Sequence, residues 1–180
     1  MFSIALFLVA IAFARTEARE GTYVSVMGGA NAVDKIPRSS AADIGFITTG
    51  TAGYTFSNAI SLEGEVGYRR NSISKYSQGP SGYIQTVSFM AHILYNFQTD
   101  YCFTPYLGAG FGSAIVHTKR TSYFWSYKNT IHRWACDIIA GIAYPISEHV
   151  DVDLQYRYFC TIHNNRENNN SIGAGLKYSF

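Results

Sequence analysis

Acidic and basic residues of this chain recur at alternate positions, a spacing that suits pairing across a narrow space or, with the right neighbours, proton transfer. Glu63, Glu65 and Arg69 share one parity in their segment, as do Arg133 and Asp137, then Asp151, Asp153 and Arg157, and Lys177 falls on the matching side of the last segment, with His92 likewise on its own. Ser/His/acid catalysis would need three convergent groups. His117, His132 and His163, with Ser113, Ser122 and Asp137, supply the types, but no nucleophile-elbow sequence and no paired-His metal spacing accompanies them. The expectation is therefore a non-enzyme without cofactor or metal, whose charges serve an interior ion-pair network: Glu63, Glu65, Asp137, Asp151 and Asp153 meeting Arg69, Arg133, Arg157 and Lys177.

Those charges need elements that point them one way. Between them, apolar side chains occupy the other parity: Val24 and Val26, Leu62, Val66 and Tyr68, Val87, Phe89, Ala91 and Ile93, Leu107, Ala109 and Phe111, Ile138, Ala140 and Ile142, Val152, Leu154 and Tyr156. A period of two is the mark of a β-strand, with one apolar face and one polar face. Ser171 to Phe180 shows it most plainly: Ile172, Ala174, Leu176, Tyr178 and Phe180 alternate with Ser171, Gly173, Gly175, Lys177 and Ser179.

Four such runs end in rings, at Phe56, Phe97, Tyr144 and Phe180, and the first three are followed by short polar connections. Four others rise between them, over Thr22 to Ala30, Ile60 to Arg69, Thr104 to Val116 and Val150 to Phe159, and descending runs begin near Gly45, Tyr83, Arg133 and Ser171. Each is about the 9 to 11 residues that a tilted membrane strand requires. On the other side the connections are long and polar, at about Asn31 to Asp43, Asn71 to Gly82, His117 to His132 and Cys160 to Asn170. Ring-terminated strands with short turns on one side and long loops on the other match an outer-membrane barrel. The fold class expected is all-β, an eight-stranded antiparallel up-and-down transmembrane β-barrel.

Composition agrees. The chain of 180 residues is 16% aromatic and 14% charged, which is rich in rings and poor in charge for a water-soluble domain. A net charge of +2 is too small to argue for nucleic acid. Phe2 to Ala14 is apolar yet too short to span, and the small residues at Ala14 and Ala18 offer cleavage sites. Residues 1–18 thus read as a secretory signal peptide and 19–180 as the barrel domain. Cys102, Cys136 and Cys160 are odd in number, so they form no complete disulfide framework, although a four-residue turn at Ile146 to His149 would set Cys136 opposite Cys160.

Several stretches together resemble the small outer-membrane β-barrel proteins of the OmpA, OmpX and opacity type. These are Tyr23-Val24-Ser25 leading to Gly28-Gly29, Gly53-Tyr54-Thr55-Phe56, Leu62 to Arg69, Thr104 to Gly110, and Tyr156-Arg157-Tyr158. The resemblance implies a cell outer-membrane location after export, contact with outer-membrane lipid and lipopolysaccharide, and insertion by the barrel-assembly machinery, with Tyr178 and Phe180 in the closing strand as the assembly signal. It also implies a surface role as adhesin or antigen, or alternatively as small passive porin or stability protein. Unlike the full OmpA architecture, the chain is expected to carry no periplasmic peptidoglycan-binding domain. A possible host-surface ligand would meet the third loop, where Lys119, Arg120, Tyr123, Phe124, Trp125 and Lys128 combine basic charge and rings without an acid.

Overall fold

A computed structural model describes residues 19–33, 44–73, 81–121, 126–162 and 168–180. The signal segment expected at 1–18 and the loop residues Tyr123, Phe124 and Trp125 lie outside them. Eight strands follow in chain order: β1 Gly21–Val33, β2 Gly45–Thr55, β3 Ile60–Ile73, β4 Ser81–Asn96, β5 Thr104–Thr121, β6 Ser126–Pro145, β7 Val150–Ile162 and β8 Asn168–Ser179. Each pairs antiparallel with the next, and β1 pairs with β8, so the sheet closes on itself and has no free edge. Among the described residues no helix is long and apolar enough to cross a membrane.

The parity of the sequence decides which face each residue takes. Val26, Val66, Ile93, Phe111, Ile138, Leu154 and Leu176 all stand on the outside with their side chains exposed. On the opposite parity Glu65, Arg69, His92, Asp137, Asp151 and Arg157 are buried inside. Exposed apolar rings and aliphatics all around a closed sheet would be untenable in water and are what a lipid environment requires.

The turn end is closed by short links. In the first, Phe56 N donates to Ile60 O at 2.8 Å and Ala59 adopts the left-handed region at φ 65°, which lets the chain reverse between Thr55 and Ile60. The link between β6 and β7 is residues 146–149, closed by Ile146 N on Val150 O at 2.9 Å. Its length sets the register Cys136↔Cys160 directly opposite across β6 and β7. Rings gather at this turn end, with Tyr54 on Phe56, Tyr95 on Phe97 and Tyr178 on Phe180, each pair near 5 Å and edge-on.

One expectation is corrected at the other end. His117 to His132 is not a loop: β5 runs to Thr121 and β6 begins at Ser126, with Lys119 paired to Lys128 and Arg120 to Tyr127. The ladder continues because it is stocked with residues that favour strands, Thr118, Thr121, Thr130 and Tyr127, and because His117 Nδ1 and Thr130 Oγ1 hydrogen-bond across it at 2.9 Å. The expected boundaries at Asn31, Asn71 and Cys160 move outward in the same way, since β1, β3 and β7 reach Val33, Ile73 and Ile162.

Candidate functional site

An eight-stranded barrel is just wide enough for its inward side chains to fill it, and these do so in layers. Nearest the turns, Asn96 Nδ2 donates to Ala59 O at 3.0 Å and to Ser61 Oγ at 2.8 Å, while Lys177 Nζ stands 3.4 Å from Asp151. Above this, two phenols meet two carboxylates: Tyr23 donates to Glu63 at 2.8 Å and Tyr106 to Asp153 at 2.7 Å. A cavity of about 30 Å³ lies among these groups, bordered by Ser25, Thr51, Glu63, Tyr106, Asp153 and Lys177. It is lined by polar groups and roomy enough for buried water.

The next layer is the most highly charged. Arg157 on β7 grips both carboxylate oxygens of Glu65 on β3, and its Nη1 lies 3.4 Å from Asp137. His92 sits between two acids, with Nδ1 3.4 Å from Glu63 Oε1 and Nε2 3.1 Å from Asp137 Oδ1. Of the two nitrogens, Nε2 is in hydrogen-bond contact with Asp137, while Nδ1 approaches Glu63 without forming a hydrogen bond. Glu65 and Asp137 thus meet Arg157, the pairing that buried charges require.

Glycine makes these bridges possible. Gly110 on β5 is the cross-strand partner of both His92 on β4 and Asp137 on β6, and a Cβ there would run into the imidazole and the carboxylate. Likewise Gly53 on β2 lies between Tyr23 and Glu63, and its Cβ would strike the Tyr23 ring. In both cases the side chains of two strands meet over an empty position on the strand between them.

Arg69 corrects an expectation. Among the described residues it has no carboxylate within ion-pair distance; its Nη1 donates to Ser88 Oγ at 2.9 Å and its guanidinium stacks 4.0 Å from the Phe159 ring centroid. The reason is vertical offset: Arg69 lies four residues above Glu65 on the same strand, at the level of an apolar layer formed by Met90, Ala114, Ala135 and Phe159. Asp153 is also corrected, since Tyr106 rather than a cation holds it. Arg133 faces inward, half-buried. Over the apolar layer, Asn31 donates to Asn71 at 2.6 Å and accepts from Ser171 at 2.7 Å.

Of the remaining candidates, Lys119, Lys128, Tyr178 and Phe180 lie outside the lumen. Lys119 and Lys128 take the outward parity on the β5–β6 hairpin, and Arg120 is fixed in register against Tyr127. Tyr178 and Phe180 belong to the ring cluster at the turn end.

Sequence reading missed the apolar layer and Phe159 as a partner for arginine. It also passed over a signal: Glu63, Glu65, Arg69 on β3 and Asp151, Asp153, Arg157 on β7 share one spacing, and the two strands stand half a barrel apart.

A closed, lipid-facing eight-stranded barrel with a charged lumen defines an outer-membrane barrel protein. The profile of the outer membrane protein beta-barrel domain matches residues 2–180, and the chain belongs to that family. Neisserial surface protein A is similar at 23% identity over 91% of this chain and 100% of that one, with a TM-score of 0.67. OprG from Pseudomonas aeruginosa is similar at 15% identity, 91% and 98% coverage and a TM-score of 0.63. Ail of Yersinia pestis is similar at 17% identity, 89% and 100% coverage and a TM-score of 0.57. No curated protein sequence matches the chain.

Proposed function

We propose that the protein is a non-enzymatic surface protein of the outer membrane, exported through cleavage of its leader, that acts as an adhesin or surface antigen through its loop end. The observation that carries this reading is the β5–β6 hairpin. Its strands are 18 and 20 residues long, against 11 in β2 and 13 in β7, and the excess lies wholly beyond the apolar band. Five residues past Val116 add about 17 Å of strand beyond that band.

Next to these strand ends the sequence has Arg120, Tyr123, Phe124 and Trp125, types enriched at protein interfaces. One similar structure is that of Ail in complex with the heparin analogue sucrose octasulfate. At that distance the likeness carries the fold, and the hairpin's own residues carry the proposal. The porin alternative is disfavoured by the packed lumen, where Arg157, Glu65, His92, Asp137, Arg69 and Phe159 fill successive levels.

The test is host-cell binding by bacteria displaying the wild type or a variant with Arg120, Tyr123 and Trp125 changed together to Ala. Binding falls at equal surface level if the hairpin tip is the contact; unchanged binding overturns the assignment.

A further inference from the structure

Among the described residues the strand-borne charges of the barrel's outward face lie in one place, and there with one sign. Among the described residues every strand-borne Asp and Glu points into the lumen, whereas Arg70, Lys119 and Lys128 point out. All three lie at the loop end of β3, β5 and β6. They fall in two adjacent rows across four strands. The lower row runs Arg70, Gln85, His117, Thr130 and the upper Ser72, Tyr83, Lys119, Lys128.

Immediately beneath come Tyr68, Val87, Ile115 and His132, and then Val66, Phe89, Ser113 and Trp134, where the lipid-facing band begins. Trp134 stacks on Phe111 at 5.5 Å, an aromatic pair at the height where rings mark a membrane interface.

Lys119 and Lys128 are direct cross-strand partners, an arrangement that repels unless an anion lies between them. Arg70 is exposed, its guanidinium 5.1 Å from the Tyr83 ring, and so leans toward the lysine row. Among the described residues no strand-borne acid of this face is present to satisfy any of the three.

We propose that this patch is a binding site for the phosphate-bearing headgroup of an outer-leaflet lipid. Arg70, Lys119 and Lys128 take the phosphate, His117 and Gln85 border it, and the acyl chains lie down the apolar band over Phe89 and Trp134. The occupant is a lipid because the cations continue the lipid-facing surface upward with no break. A soluble ligand would instead be met at the hairpin tip.

Trp134 reports the site when Trp125 is changed to Phe. The full chain carrying W125F is placed in phosphatidylcholine vesicles containing equal fractions of either brominated phosphatidate or brominated phosphatidylcholine. Each cation near a charged headgroup is worth about a fivefold preference, so quenching should yield a relative association constant for phosphatidate of about five or more at low salt. The preference should fall to about one in R70Q/K119Q/K128Q and persist in R70K/K119R/K128R. Equal quenching by the two lipids, retention of preference in the glutamine variant, or its loss in the charge-keeping variant each overturns the site. Host-cell binding through the tip is a separate readout, so either result leaves the other standing.

Discussion

Arg157 and Glu65 stand on strands half a barrel apart, β7 and β3, yet their side chains meet in a two-pronged bridge that spans the lumen. Both are almost wholly buried. The bridge ties opposite walls together, and the His92–Asp137 contact, reached through Arg157, ties in two strands more.

Removing one end should therefore be worse than removing both. R157A leaves Glu65 as a buried, uncompensated acid and takes from Asp137 one of its two partners, and should lower stability by about 3–5 kcal/mol. Replacing the pair, as E65M/R157M, should be close to neutral. Urea unfolding in lipid vesicles measures both; a double variant as unstable as R157A would show that the pair itself holds the fold.

G110A tests the passage of side chains over an empty strand position. A methyl group there collides with His92 and Asp137, so the variant should lose about 1–3 kcal/mol, as overpacked cores do. G64A is the control. Gly64 faces outward with nothing near its missing Cβ, and alanine there should be neutral or mildly stabilising. Equal effects from the two would mean that the lumen repacks freely.

F180A addresses the ring cluster at the turn end. The Phe180 side chain is 72% exposed, touching chiefly Tyr178, so its truncation should change unfolding stability little. If Tyr178 and Phe180 serve as the assembly signal, the amount reaching the surface should drop several-fold. Normal surface levels would reduce Phe180 to one more interfacial ring.

The parity of the strands was legible because lipid and lumen impose opposite demands on successive residues. Val24, Leu62, Phe89, Leu107, Ile138 and Leu176 announce the outward face by themselves. The apolar layer inside was not legible, because Ala135, Ile138, Ile139 and Ala140 place similar side chains on both faces, and alternation then carries no information. The hairpin's length escaped for a different reason. Beyond the membrane a strand needs no apolar face, so Lys119, Arg120 and Lys128 read as loop residues although ladder hydrogen bonds extend past them. The charged groups were visible one at a time, but which acid meets which base depends on height along the strand. Arg69 stands four residues above Glu65 and so reaches Phe159 instead.

If the protein works by its outer surface, its lumen is closed to ions. Conductance of the purified, refolded wild-type protein in a planar lipid bilayer tests this most directly. With Arg157, Glu65, His92, Asp137, Arg69 and Phe159 filling successive levels, the predicted record is a silent baseline. Steady, discrete openings from the wild-type monomer would contradict the closed lumen and make the protein a pore.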